Sequence, residues 1–243
     1  MGNLKKFTFL PYEENFKKGE ISFHFRIDLD RESFSFTEKV ILPGTDASIP
    51  SSLIKSVLDG LSLVIGINYW KLYCPPQIDT GEIDLTSEQA QFWNKIYTSG
   101  LGEFYFKNKI DFRNLVNLPH KDVSNLATNF PRKNRILLPI GGGKDSIVSA
   151  EILKEEKKDF DVFIVGDFEI PLKVAEIMGK KPIVVRRELD PKLFELNKRE
   201  DAYNGHVPVS AAYAFLGVLA SVLFDYSSVV VSNEKSSNYG NVR

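Results

Sequence analysis

Between residues 21 and 30 the chain alternates without interruption. Ile21, Phe23, Phe25, Ile27 and Leu29 are apolar, and Ser22, His24, Arg26, Asp28 and Asp30 are polar. A period of two over that length predicts a strand with one buried and one wet face. Phe34 and Phe36 resume the alternation after a turn, and Val40-Ile41-Leu42 ends it at Pro43-Gly44. The opening of the chain therefore reads as a short antiparallel sheet, with His24 solvated on its wet face. The period then changes. Leu53, Ile54, Val57, Leu58 and Leu61 have helical spacing, and Ser51 or Ser52 is placed to cap that helix. Residues 63–73 are apolar and aromatic and stop at Pro75-Pro76. Thr86-Ser87-Glu88-Gln89 is a capping-box pattern opening a helix through Ala90, Trp93, Ile96 and Tyr97. Residues 100–106 break that helix and lead into a loop to about residue 130. Trp70, Tyr73, Phe92, Trp93, Tyr97, Phe104 and Tyr105 are expected in the core.

From Arg135 the pattern becomes strand, helix, strand. Apolar runs at residues 136–140, 161–165, 182–185 and 229–231 alternate with helical stretches, the last of them residues 207–224. That grammar predicts a parallel sheet with helices on both faces. The fold class is thus α/β over residues 131–243, preceded by a smaller α+β domain over residues 1–130. Polar clusters at residues 141–146, at Asp167, at Arg186-Arg187 and at residues 232–236 all follow strands. They are expected on one edge, beyond the carboxyl ends of the strands, where such sheets bind ligands. After the last strand come only polar and turn residues, so a truncated or split product lacking its C-terminal part is expected.

Composition narrows the function. A net charge of −1 gives no electrostatic footprint for nucleic acid, so a nucleotide ligand is expected to be small. The one cysteine, Cys74, excludes an intramolecular disulfide and a cysteine-pair zinc site, and its place beside two prolines suits an inert thiol. The charged first residues are not followed by a long apolar stretch, and Lys6 stands where a myristoylation pattern wants Ser or Thr. Residues 206–224 lack Asp, Glu, Lys and Arg, but Pro208, Ser210 and Ser221 interrupt them, which favours a buried helix over a membrane span. A cytoplasmic protein without a membrane partner is the expectation.

The chemistry concentrates in Gly141-Gly142-Gly143-Lys144-Asp145-Ser146, between a short apolar strand and an amphipathic helix. Glycines let backbone N–H groups approach an anion closely, and the following helix points its positive end at the same place. Lys144 adds a charge and Ser146 a hydroxyl. Asp145 serves either as a helix cap or as a metal-facing carboxylate. This is not a Walker A loop, because Asp145 follows the lysine. Nor is it a dinucleotide fingerprint, because Ser146 stands at the third glycine.

These residues resemble the Ser-Gly-Gly-x-Asp-Ser signature of the PP-loop ATP pyrophosphatases, with Gly141 in place of the serine. Asn204-Gly205-His206-Val207-Pro208-Val209-Ser210 and Val230-Val231-Ser232-Asn233-Glu234-Lys235-Ser236 are similar to motifs of one branch. That branch is the ATP-dependent UDP-N-acetylmuramoyl-L-alanyl-L-glutamate epimerases, whose loop also reads Gly-Gly-Gly-Lys-Asp-Ser. Residues 66–71, 74–76 and 100–104 extend the likeness to most of the chain, and the family continues well past residue 243. The resemblance implies epimerisation of the terminal glutamate through carboxylate adenylation, releasing AMP and pyrophosphate. It implies ATP held by Gly141, Gly142, Gly143, Lys144, Asp145, Ser146, Ser232 and Asn233, and Mg²⁺ at Asp145. His206 and Glu234 become candidate catalytic groups, with a helix-start capping or packing role as the other reading of His206. The implied partners are the UDP-MurNAc-L-Ala-L-Glu substrate and a chain supplying the missing part. Another PP-loop ligase or synthase, or an inactive ATP-binding fragment, shares the loop and stays open.

Overall fold

The computed structural model describes residues 5–122 and 129–232. β1 (Lys6–Asn15), β2 (Glu20–Asp28) and β3 (Ser33–Ile41) form an antiparallel meander. The alternation is realised fully: Ile21, Phe23, Phe25 and Ile27 are all buried beneath α1 (Ser51–Trp70). His24, expected to be solvated, is half-buried, with Nδ1 3.0 Å from Thr37 Oγ1.

α1 is longer than its periodic half suggests, running through residue 70. Its second half is enclosed on every side, so no polar stripe marks the helical period there. Neither Ser51 nor Ser52 caps it. The N-cap is Pro50, which makes no side-chain bond. By length and composition α1 could cross a membrane, yet it is largely buried against β1, β2 and the later helix α7 (Val209–Phe224).

β4 (Gln77–Asp79) pairs with β1, and α2 (Ser87–Thr98) opens with the expected capping box. Gln89 N donates to Thr86 Oγ1 at 3.2 Å and Thr86 N to Gln89 Oε1 at 2.9 Å. The loop expected after residue 100 begins instead with a helix, α3 (Gly102–Asn108). Burial of Leu101, Phe104 and Tyr105 holds it, and the Tyr105 hydroxyl donates to Tyr97 O at 2.6 Å. The aromatic residues expected in the core are there, except Phe92, which is half-exposed.

The second half supplies β5 (Ile136–Pro139), α4 (Lys144–Glu155), β6 (Phe160–Val165), α5 (Glu169–Ile177), β7 (Ile183–Glu188), α6 (Pro191–Leu196), α7 and β8 (Ser228–Val229). Its strands are parallel, in the order β7-β6-β5-β8. Leu138, Val162 and Ile164 face α4 and α5, while Leu137, Phe163 and Val185 face the other way, into the core that α1 and α7 share. Helices thus cover both faces, as the alternating grammar requires.

The sheet does not stop between the two halves. β3 pairs antiparallel with β7, so among the described residues eight strands form one mixed sheet, β4-β1-β2-β3-β7-β6-β5-β8. At this joint Arg187 departs from expectation. It lies within β7 and turns away from the ligand edge, donating through Nε to Oε1 of the buried Glu38 at 2.7 Å. Tyr69 donates to the other oxygen at 3.0 Å.

Candidate functional site

In the parallel part the chain order runs third, second, first, fourth, so the direction of winding reverses between β5 and β8. Ligands of open parallel sheets bind at such a switch point, outside the carboxyl ends of the strands. Gly141, Gly142 and Gly143 follow β5 there, and Ser232 follows β8. The two segments meet through α4, where Ser232 Oγ donates to Ser149 Oγ at 2.8 Å.

The three glycines differ. Gly142 has φ +83°, and a Cβ on it would lie 2.7 Å from Ile170 Cγ2. Only glycine suits that position. A Cβ on Gly141 or Gly143 would meet no atom within 4 Å, so both border open space. Gly143 is also the N-cap of α4 and has no side chain to cover the first-turn N–H groups. An anion placed there meets the positive end of a 12-residue helix that has no side-chain cap. Lys144 and Asp145 sit in that first turn. Ser146 is buried, and its hydroxyl donates to Gly143 O at 2.9 Å. It braces the loop in this state and reaches a phosphate only by rotating away.

The loop forms one wall of an open cleft of about 560 Å³, and Phe168, Ile170 and Pro171 form the other. Phe168 and Ile170 are 66% and 67% exposed. Large apolar side chains so placed beside a polar cradle suit the flat face of a base. The sequence reading missed both; their signal was an apolar pair directly after the Gly166-Asp167 turn. Asp167 itself lies 4.0 Å from Arg186 across the ends of β6 and β7.

Among the described residues no three His, Cys, Asp or Glu converge on a point that could hold a metal ion. Asp145 alone still fits Mg²⁺, which is commonly held by one or two carboxylates together with the phosphates it accompanies. Asn233 and Glu234 lie outside the described residues.

His206 is held elsewhere on the surface. Its imidazole is about half-exposed, with Nδ1 3.9 Å from Glu103 Oε2 of α3. The segment leading to it is tied down at three points. Tyr203 N donates to Leu72 O at 2.8 Å, Asn108 Nδ2 to Asn204 O at 2.9 Å, and Lys71 Nζ to Gly205 O at 2.7 Å. These contacts are to the end of α1 and to α3.

A family model described as the MurL N-terminal domain matches residues 1–243. The UDP-N-acetyl-alpha-D-muramoyl-L-alanyl-L-glutamate epimerase of Xanthomonas oryzae pv. oryzae is 34% identical over 207 residues, 84% of this chain and 46% of the relative. The proteins of the same name from a Micromonospora strain and from Salinispora tropica are each 32% identical, over 97% of this chain and 54% and 52% of their own lengths. The chain spans about half the length of these curated relatives. No solved structure matches. The chain belongs to the MurL family, of which it matches the N-terminal domain.

Proposed function

We propose that this chain is the nucleotide-binding part of an ATP-dependent epimerase acting on the terminal L-glutamate of UDP-MurNAc-L-Ala-L-Glu, in peptidoglycan precursor synthesis. The observation that carries the reading is the uncapped α4 N-terminus, bordered by Gly141 and Gly143 over open space at the switch point of the sheet. The names of the relatives supply the substrate. In this reading the domain boundary falls near residue 130, and the counterpart of the relatives' remaining length completes the site, in the same polypeptide or in a second one.

The chemistry needs ATP for a physical reason. Removing a proton beside a free carboxylate would place two negative charges on one small fragment. Attack of the carboxylate oxygen on the α-phosphorus forms an acyl adenylate and breaks the bond to pyrophosphate. The acyl group then takes up the charge left at the α-carbon as an enolate. A base removes the α-proton, a proton returns on the opposite face, and water hydrolyses the anhydride to AMP and the D-glutamyl product. The amides of residues 141–143 with Lys144 hold the departing pyrophosphate. Ser146, Ser232 and Asn233 add polar contacts, and His206 and Glu234 are the proposed proton-transfer groups. Asp145 would hold Mg²⁺, which would supply positive charge to offset that of the phosphates.

The test is the chain with ATP, Mg²⁺ and UDP-MurNAc-L-Ala-L-Glu in deuterium oxide, alone and with the C-terminal half of the Xanthomonas relative. The expected products of the combined sample are AMP, pyrophosphate and D-glutamyl peptide carrying deuterium at the α-carbon. AMP release without α-exchange rejects epimerisation and keeps adenylation. Absence of ATP binding by calorimetry rejects the whole reading.

A further inference from the structure

Lys71, the C-cap residue of α1, is only 5% exposed. Among the described residues no carboxylate lies within ion-pair distance of it. Its ammonium donates to Gly205 O at 2.7 Å and stands 6.0 Å from the centre of the Phe104 ring. A buried lysine is normally matched by an acid, because an unmatched interior charge is costly. Here a backbone carbonyl and the face of an aromatic ring take the place of the acid, and burial pushes the Lys71 pKa below its ordinary value.

That peptide joins Gly205 to His206, and like every described peptide it is trans. In a trans peptide the N–H points opposite to the C=O. The carbonyl is drawn inward to Lys71, so the His206 N–H is directed away from Lys71, and both Gly205 and His206 are exposed residues. Among the described residues no carbonyl or side chain accepts from this N–H. Hydrogen bonding of the carbonyl to a cation polarises the peptide and strengthens its N–H as a donor. Gly205 holds φ +140°, which a side chain rarely adopts, so the orientation depends on glycine. The bonds from Asn108 to Asn204 and from Tyr203 to Leu72 fix the flanks.

We propose that Lys71, acting through the Gly205 carbonyl, presents the His206 amide as a binding site for a carboxylate, specifically that of an acidic peptide. The site rests on the proposed function only for its choice of peptide; the donor and its polarisation are independent of the nucleotide loop. Glu103, whose Oε2 lies 3.9 Å from His206 Nδ1, borders the site and disfavours anions that bring no compensating contact. An incoming carboxylate gains the amide and, when His206 is protonated, the imidazolium as well.

The probe is L-alanyl-L-glutamate, titrated without ATP while the backbone amide of His206 is followed by ¹H–¹⁵N NMR. A saturable downfield proton shift at His206 is expected in the natural chain. Lys71→Arg keeps it, and Lys71→Met weakens binding about tenfold, as loss of a charge-assisted contact should. Unchanged amide positions elsewhere in the spectrum show that each variant is folded; should Lys71→Met fail this check, Gly205→Ala, which turns the same peptide, replaces it with the same expected loss. A His206 amide that does not move, or one that moves equally in the charge-free variant, overturns the proposal, as does failure of the peptide to bind. Gly143→Ala separates this from the nucleotide reading: it removes ATP binding and leaves the His206 response intact.

Discussion

Arg187 on β7 and Glu38 on β3 form an ion pair inside the protein, Nε to Oε1 at 2.7 Å, with Glu38 wholly enclosed. Burial pushes the Glu38 carboxyl above the usual carboxylate range, against the pull of Arg187 and the hydrogen bonds of Tyr69 and Asn68. The pair sits where the antiparallel meander meets the parallel strands. Removing one member strands the other's charge or hydrogen-bonding groups. Arg187→Met is expected to destabilise the fold by about 3–5 kcal/mol, read from urea unfolding. Replacing both residues with apolar ones is expected to recover most of that loss. Equal damage from the single and double changes would show that the charges are not coupled.

Little of that joint is visible in the sequence. The alternation around Ile21, the capping box at Thr86 and the glycine loop are local patterns, and each appears in the structure where its spacing puts it. The β3–β7 pairing joins residues 149 apart, and no local period encodes it. The second half of α1 escaped for the opposite reason: a helix buried all round has no polar face by which to recognise it. α3 escaped because two glycines in residues 100–106 read as a break, whereas burial of Phe104 and Tyr105 overrides that weak propensity. Around the candidate site, the strand, glycine turn and helix of residues 136–155 were legible from their residue types. The Phe168 and Ile170 wall and the Lys71 clamp were not, since both depend on what the fold brings next to them.

The glycine loop offers two substitutions with opposite outcomes. Gly143→Ala adds a methyl group into open space at an ordinary φ of −83°, so the fold is expected to keep its melting temperature and ATP affinity to fall. Gly142→Ala forces a side chain to φ +83° and against Ile170. It should destabilise the fold by about 1–2 kcal/mol or more before any ligand is considered. Calorimetry with ATP, paired with thermal melts, distinguishes the two. Full ATP affinity in Gly143→Ala would remove the cradle from the binding site.

Asp161 of β6 accepts from Arg135 and, at 2.9 Å, from the Tyr226 hydroxyl, tying the entrances of β5, β6 and β8 together. Burial pushes its carboxyl upward, but the bonds from Arg135 and Tyr226 with the nearby charge of Lys180 outweigh it and hold the pKa low. A carboxyl depressed in the folded state stabilises above its unfolded pKa and loses that contribution as pH falls through the folded one. The melting temperature should therefore drop as the pH goes below about 3.8. Asp161→Asn should lower it at neutral pH and flatten that acid limb. An unchanged acid limb in the variant would assign the effect to other carboxylates.

Burial pushes the Cys74 thiol up to about 12, with the neighbouring Lys71 opposing. The thiolate is the reactive form, so the folded chain should resist a disulfide reagent at neutral pH. In guanidinium one thiol per chain should react promptly. Rapid labelling without denaturant would mean that the end of α1 opens readily in solution.

The joint between β3 and β7 also sets an order of events during synthesis. β1, β2, β3 and α1 all leave the ribosome with their own contacts available, but the outer edge of β3 has no partner until β7 appears, whose Arg187 comes 149 residues after Glu38. At ordinary elongation rates that wait lasts roughly 7–30 s. Through that interval the nascent chain carries an open strand edge, the feature that most readily recruits another chain. Arg187 must then reach a carboxylate that α1 has already begun to cover. Yield of soluble protein should accordingly depend more on how fast residues 180–190 are translated than on the local stability of the meander they complete.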